Sequence, residues 1–435
     1  MKISVFGVGY VGLTTAACLA NLGHIVLCID IDRERIRSLE EGKFPFFEPG
    51  LPELVAQNKK RGRLLFTADA AEAVDFGEVI FNCVNTPCSE DGSADLRYVF
   101  AVAKTIGENI KEYKVVVNKS TVPPGAARKT AQIISENAKM PTIFDVVANP
   151  EFLREGDAVR AFNYPDKIVL GSDSDRALTI MRKVYSGRLR TYLPIVETDW
   201  ETAETIKYAN NTFLATKISF INEIANICEE VGADVKIVAL ALGLDYRISP
   251  RFMNPGVGYG GSCFPKDVKA LIATAKQKGY HAKLFEEVDA ANERQKKRMA
   301  QKITAVFNGD IAGRTFSVLG LSFKPKTNDM REAPSIQIIN DLLSAGAKIK
   351  AYDPAANEEA KKIFGGSIIY CDSAEEAAKG SSAIVLVTEW DEFRSINFAE
   401  MGKLMEEKVI FDGRNIYEPE LVKEEGFKYY GVGRR

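Results

Sequence analysis

The run Gly256-Val257-Gly258-Tyr259-Gly260-Gly261-Ser262-Cys263-Phe264-Pro265-Lys266-Asp267 sets one cysteine among glycines, with a lysine three and a carboxylate four residues further on. The chemistry such a grouping can do is that of an activated thiol. The glycines let backbone N–H groups approach a ligand closely and adopt positive φ at no cost in side-chain strain. Pro265 suits the first turn of a helix over roughly 265–278, and a helix N-terminus favours negative charge on a neighbouring sulfur. A free cysteine is ordinarily an inert, buried residue. The surroundings of Cys263 mark it instead as the expected centre of reaction.

The elements that must position this thiol begin at the N-terminus. Lys2-Ile3-Ser4-Val5-Phe6 reads as a strand, an Ala/Leu-rich helix follows, and His24–Asp30 reads as a second strand. Gly7, Gly9 and Gly12 between them fit G-x-G-x-x-G, in which the first glycine makes the turn and the second lets the backbone reach a pyrophosphate. The third allows close helix–strand packing. Asp30 ends the second strand, where a carboxylate accepts hydrogen bonds from a ribose diol and repels a 2′-phosphate, so NAD is expected over NADP. Arg33 nearby is of the type that receives that phosphate, which keeps NADP open on this reading.

Strand and helix signals keep alternating through 78–84, 114–118, 144–148 and 167–170, as expected of parallel strands with crossover helices. Three loops following these strands carry polar residues at the carboxyl edge, where such sheets bind ligands: 85–87 with Thr86, 119–125 with Thr121, and 149–156 with Glu151, Phe152, Leu153, Arg154 and Glu155. Asp199–Val231 then shows helical apolar spacing, with Asp199 as its cap and Gly232 as its stop. Such a helix spans about 50 Å, is expected to link two domains, and offers a dimer surface. Lys207 and Asn211 are i and i+4 on it, hence on one face, with Asn210 beside them. A second helical segment is expected at about 280–307.

After Asn308-Gly309-Asp310 a second α/β series begins, with strands expected at 315–319, 347–353, 383–387 and 408–411. Its first turn carries lysines where the first series carries glycines. Lys324, Lys326, Arg331 and Arg414 fall at strand ends, so a second phosphate-bearing ligand is expected there, held by charge rather than by backbone.

Composition narrows the rest. A chain of 435 residues exceeds what one core usually supports, and two or three domains are expected. The net charge of −2 and the scattered basic residues leave no electrostatic footprint for nucleic acid. Seven cysteines without paired spacing suggest neither a disulfide framework nor a zinc site, and two histidines leave little room for a His-based metal site or triad. The opening strand leaves no place for a signal peptide and no apolar run reaches membrane-spanning length, so a cytoplasmic protein is expected.

In this order, GVGYVG at 7–12, VNTP at 84–87, KSTVPPG at 119–125, NPEFLREG at 149–156, the Lys207/Asn210/Asn211 helix, GVGYGGSCFPKD at 256–267, SFKPKTNDMRE at 322–332 and FDGRN at 411–415 resemble one family. It is the UDP-glucose/GDP-mannose dehydrogenase family of four-electron nucleotide-sugar dehydrogenases, and the resemblance covers nearly the whole chain. It implies an α/β protein of two Rossmann-like, doubly wound parallel-sheet domains joined by a long central helix and a helical dimerisation region. The implied boundaries are 1–198 for NAD, 199–308 for the centre and 309–435 for the UDP-sugar. The implied reaction oxidises UDP-glucose to UDP-glucuronate with NAD, with GDP-mannose or a UDP-hexosamine as sibling substrates. Cys263 would trap the aldehyde as a thiohemiacetal whose oxidation gives a thioester, and hydrolysis would follow.

Matched position by position, the resemblance implies that Lys207 and Asn211 hold the substrate oxygen, while Thr121, Glu151 and Asp267 organise water and proton transfers. Two bases for the first oxidation stay open: a neutral Lys207, or the water held by Glu151 and Asp267. For the cofactor it points to Gly9, Tyr10, Val11, Asp30, Arg33, Thr86, Thr121, Glu155 and Arg331. For the UDP-sugar it points to Phe152, Leu153, Arg154, Lys207, Asn211, Tyr259, Gly260, Lys324 and Arg414. Arg247 matches an arginine that reaches the neighbouring subunit's substrate, so a homodimer or higher homo-oligomer is implied, with no metal, nucleic acid or membrane partner. A scaffold protein that has lost turnover is the rival of another class. It would be expected to lack Cys263, Lys207 or Asp267, and all three are present.

Overall fold

Val115, Val116 and Val117 are consecutive and all fully buried, which requires a strand covered on both faces. Val115 and Val117 point into one apolar cluster with Ile3, Val5 and Phe81, and Val116 into another with Phe6, Ile80 and Ala127. Helices on both sides of a mainly parallel sheet follow from this pattern. The structure, a computed structural model, describes residues 1–141, 143–186 and 194–434.

The first sheet consists of β1 (Lys2–Phe6), β2 (Ile25–Ile29), β3 (Leu64–Thr67), β4 (Val79–Asn82), β5 (Lys114–Asn118), β6 (Phe144–Ala148), β7 (Ile168–Gly171) and β8 (Ile195–Thr198). Its order is β3-β2-β1-β4-β5-β6-β7-β8. Every pairing is parallel except β6 with β7, where Ala148 faces Gly171 in antiparallel sense. The second sheet consists of β9 (Thr315–Leu319), β10 (Lys348–Tyr352), β11 (Ile369–Tyr370), β12 (Ala383–Leu386), β13 (Val409–Asp412) and β14 (Lys428–Gly431), ordered β11-β10-β9-β12-β13-β14. Its pairings are all parallel. Both sheets thus contain the 3-2-1-4-5-6 order of a dinucleotide-binding fold, and the expected repetition of the architecture is present.

The repetition extends to single bonds. The Gly7 N–H donates to the Ile29 carbonyl at 2.8 Å, and the Gly320 N–H donates to the Tyr352 carbonyl at 2.8 Å. Val8 N–H donates to Asp30 at 3.0 Å and Leu321 N–H donates to Asp353 at 2.7 Å. The two carboxylates then diverge. Asp353 also receives the N–H and hydroxyl of Ser322 and the indole N–H of Trp390, so its oxygens are occupied by its own fold.

The chain divides into two compact units, Met1–Asn210 with Ala273–Gly279, and Asn211–Ile272 with the chain from Tyr280 onward. The division falls inside the helix Trp200–Val231, which Asp199 caps by accepting the Thr202 N–H at 2.7 Å. Gly232, with φ +77°, follows its end. The helices Phe264–Gln277 and Lys283–Val306 lie close to the expected spans, and Val235–Leu244 is a further helix beyond them. Among the described residues no helix is long and apolar enough to cross a membrane, and no cluster of His, Cys, Asp and Glu could hold a metal ion.

Candidate functional site

In the first unit β1 runs into the helix Tyr10–Asn21, whose N-cap is Gly9 with no side-chain capping bond. Its first N–H groups are therefore left to a ligand, as a pyrophosphate cradle requires. A Cβ on Gly12 would lie 1.8 Å from the Gly7 carbonyl oxygen, so only glycine permits this approach of helix to strand. Val11 packs on the apolar core behind the turn. Asp30 lies at the end of β2 and accepts from Val8 and Asp32 N–H groups. Its cationic partner is Arg35 at 3.2 Å, while Arg33 is exposed on the same helix. These residues fit a ribose-bearing dinucleotide. The Thr86 hydroxyl donates to the Thr121 carbonyl at 2.9 Å and joins two of the carboxyl-edge loops.

Tyr10 adds a residue that the motif reading missed. Its hydroxyl donates to buried Glu48 at 2.9 Å, and the other lone pairs of Glu48 accept from Gly156 and Ala158 N–H, both at 2.7 Å. Burial first, then Glu48, pushes the Tyr10 hydroxyl well above its ordinary range. Glu48 therefore ties the turn after β1 to the loop bearing Glu155. No periodicity marks it in the sequence.

The loop after β6 carries Glu151, and the long helix brings Lys207 to it at 2.9 Å, with side chains only 6% and 4% exposed. Burial acts to raise the Glu151 carboxyl. The charge and hydrogen bond of Lys207, with the Leu153 N–H, outweigh it and hold Glu151 below the usual carboxylate value. Lys167 and Lys207 both face the Phe152 ring, at 4.5 and 5.3 Å from its centroid, and Lys167 donates to Asn210 at 2.8 Å. A cavity of about 50 Å³ opens among Lys119, Glu151, Phe152, Leu153, Arg154 and Lys167. Lys119 is buried, which, with the charge of Lys207 and against the pull of Glu151, brings it down to about 8. One turn before Lys207, Glu204 accepts the Gly125 and Ala127 N–H groups at 2.7 Å, fixing the end of the Thr121 loop. Burial lifts its carboxyl to about 7. The i, i+3 spacing to Lys207 was the available signal for it.

In the second unit Cys263 immediately precedes the helix Phe264–Gln277 and is half-buried, its sulfur 3.5 Å from the Ser262 hydroxyl. The Asp267 N–H closes the first turn on the Cys263 carbonyl at 2.9 Å. Asp267 is 1% exposed. It accepts from the Asn211 amide at 2.7 Å and from Lys266 at 2.6 Å, so the lysine beside the carboxylate is its ion-pair partner. A Cβ on Gly260 would meet the Glu332 carbonyl oxygen at 2.2 Å. Tyr259 is buried against Ala215, Val268 and Val288.

The cations of the second sheet separate into two groups. Arg414 lies against Gly256, donates to the Val387 carbonyl at 2.7 Å and pairs with Glu389 at 3.1 Å; Phe323, from the lysine-bearing turn, lies against Gly261. Lys324 sits 5.5 Å from the Phe323 ring centroid. The structure thus brings Arg414 and the Lys324 turn to the cysteine loop. Arg331 and Lys326 are exposed and pair with Asp329 and Asp391, although the Arg331 carbonyl accepts the Gly261 N–H at 2.8 Å. Arg247 pairs with Asp245 on the exposed surface.

Comparison with known proteins follows the same layout. The UDP-glucose/GDP-mannose dehydrogenase family models match in series: the NAD binding domain over residues 1–188, the central domain over 201–294 and the UDP binding domain over 317–419. A UDP-glucose 6-dehydrogenase of Bacillus subtilis is 46% identical over 433 residues, covering 100% of this chain and 93% of its own. One from Rhizobium meliloti is 46% identical over 437 residues and covered in full on both sides. The solved structure of a UDP-glucose dehydrogenase from Pyrobaculum islandicum superposes with a TM-score of 0.92 at 36% identity, over 100% of this chain and 98% of that one.

Proposed function

The chain belongs to the UDP-glucose/GDP-mannose dehydrogenase family, and from that premise we propose that it oxidises UDP-glucose to UDP-glucuronate with two equivalents of NAD. The observation that carries the reading is Cys263 at the start of a helix whose next turn presents buried Asp267, engaged by both Lys266 and Asn211. A dehydrogenase that stopped at the aldehyde would have no use for this grouping. Gly9, Tyr10, Asp30 and Thr86 hold the cofactor, which supplies the hydride acceptor for both oxidations.

The chain's own residues do the rest. Loss of the alcohol proton and a hydride gives the aldehyde; the Cys263 sulfur adds to its carbon, and the proton of the thiol ends on the new hydroxyl. Loss of a second hydride and that proton leaves the thioester, which water cleaves to the carboxylate and the free thiol. Lys207 and Asn211 stabilise the oxygen on which negative charge develops. Glu151, Thr121 and Asp267 orient water and take up protons. With its carboxyl held low by Lys207, Glu151 is ionised at neutral pH and able to accept a proton.

The UDP moiety falls to Lys324 and Arg414, in keeping with Asp353 being consumed internally. Lys324→Ala is expected to weaken UDP-glucose binding about 10- to 100-fold, as for a lost charge-assisted hydrogen bond, and to leave NAD affinity unchanged; isothermal titration with each ligand separately checks this. Substrate choice is tested by NADH formation with UDP-glucose and with GDP-mannose. Faster turnover of GDP-mannose would overturn the assignment in favour of the sibling activity.

The reading also divides the chain into 1–198, 199–308 and 309–435 and makes it a homodimer. Phe213, Phe220, Ile227 and Val231 form an exposed apolar stripe on the long helix, the kind of surface a second copy covers. Arg247, exposed and on a short loop, is placed by this reading to reach the partner's substrate. A cytoplasmic setting accords with seven cysteines whose spacing suggests no disulfide framework.

A further inference from the structure

The segment Gly256–Cys263 contains no helix or strand, yet most of it is buried. Its backbone polar groups must therefore find partners elsewhere. Those of Gly256 and Tyr259 find them in three carboxamide side chains. The Gly256 N–H donates to Asn222 at 2.8 Å, and the Gly256 carbonyl accepts from Gln295 at 2.7 Å. Asn292 closes on Tyr259 from both sides: its oxygen accepts the Tyr259 N–H at 2.8 Å and its amide donates to the Tyr259 carbonyl at 3.0 Å. Asn222, Asn292 and Gln295 are 2%, 1% and 3% exposed, so water does not compete for these bonds.

Asn292 and Gln295 are three apart on the helix Lys283–Val306, and Lys296 beside them packs its stem at 3.3 Å from where a Cβ of Gly258 would lie. Lys296 also pairs with Glu332, whose carbonyl faces Gly260. One helix face thus holds the loop at Gly256, Gly258 and Tyr259. A carboxamide is required at position 292, because Tyr259 offers one donor and one acceptor: a carboxylate answers only the first and an apolar residue neither.

We propose that Asn292, with Gln295, is a positioning residue for Cys263: the carboxamides lock the glycine loop in one conformation and so fix where the sulfur stands. The proposal rests on Cys263 being the nucleophile. Small displacements of a reacting atom are costly, about 100-fold in rate for a shift of about 1 Å. Asn292 and Gln295 bond the loop backbone at Tyr259 and Gly256, so the effect acts through the loop.

The test uses two full-length variants, each of which removes one donor with little change of volume, Asn292→Asp and Gln295→Glu. Each is expected to lower kcat for UDP-glucose oxidation about 10- to 100-fold while the KM for NAD stays within about twofold. The rate of Cys263 alkylation by iodoacetamide across pH is expected to change at least threefold, and amide exchange at residues 257–261 to quicken. If only one variant folds, that one decides. Unchanged kcat and alkylation would overturn the proposal. So would a loss of activity matched by the fraction of Cys263 sites lost, with normal turnover per remaining site, since that is the signature of mere destabilisation. Wild-type protein that fails to oxidise UDP-glucose would instead refute the assigned reaction. The alkylation and exchange readouts would still decide the clamp.

Discussion

Cys263→Ser is expected to bind UDP-glucose like the parent protein and to lose four-electron turnover by about 10³-fold or more. A serine hydroxyl at this place is far less acidic and less nucleophilic than a thiol, and exchanging the sulfur for oxygen leaves the neighbouring Ser262 hydroxyl in place. Sulfur needs less help, because a helix N-terminus favours the thiolate and the thioester it forms is readily cleaved by water. An oxygen ester formed at the same position would hydrolyse more slowly and hold the enzyme in the acylated state. Product analysis with UDP-glucose, alongside direct titration of the sugar nucleotide, checks both halves. Undiminished UDP-glucuronate formation by the variant would rule out covalent catalysis at position 263.

Lys207→Met is expected to separate stability from chemistry. The variant leaves Glu151 buried without its cation, which costs about 3–5 kcal/mol for a broken buried pair. Catalysis is expected to fall about 10²- to 10³-fold as charge stabilisation on the substrate oxygen is lost. The pH dependence changes sign. In the parent the Glu151 carboxyl is held below its unfolded value, so its contribution to stability is present above the ordinary carboxylate range and is lost only as pH falls through the lowered value. Without Lys207, burial acts to raise the carboxyl, and stability is then expected to decline as pH rises through the ordinary range. Thermal melts from pH 4 to 8 read this out. Adding Glu151→Gln to Lys207→Met is expected to restore the melting temperature but not the activity; recovery of both would show that the lysine serves only to neutralise its partner.

Much of this was legible in the sequence because certain steps depend on local chemistry alone. The Gly7/Gly9/Gly12 turn, Asp30 and the Asp199 cap each follow from what a few adjacent residues can do, and each stands where its spacing placed it. Pairing direction is not local, which is why the antiparallel junction of β6 and β7 was not expected. Short strands such as Leu64–Thr67 and the two-residue Ile369–Tyr370 carry too little periodicity to be seen. The partners of the site escaped for a related reason. Glu48, Asn222, Asn292 and Gln295 act on backbone groups 33 to 110 residues away, and nothing near them in the chain announces it. Polar residues at 292, 295 and 296, on the buried face of an amphipathic helix, were the one available sign, since such groups are retained only where they are satisfied. Arg35, which the sequence reading did not single out, is the cation on Asp30, because the first turn of the helix turns residue 35 toward the strand end and leaves residue 33 exposed.

The central claim, that one sulfur captures the product of a first oxidation and carries it through a second, is tested most directly by the number of NADH molecules formed per UDP-glucose consumed under single-substrate exhaustion. The account predicts two, with UDP-glucuronate as the product. One NADH per sugar, with free aldehyde accumulating, would contradict it.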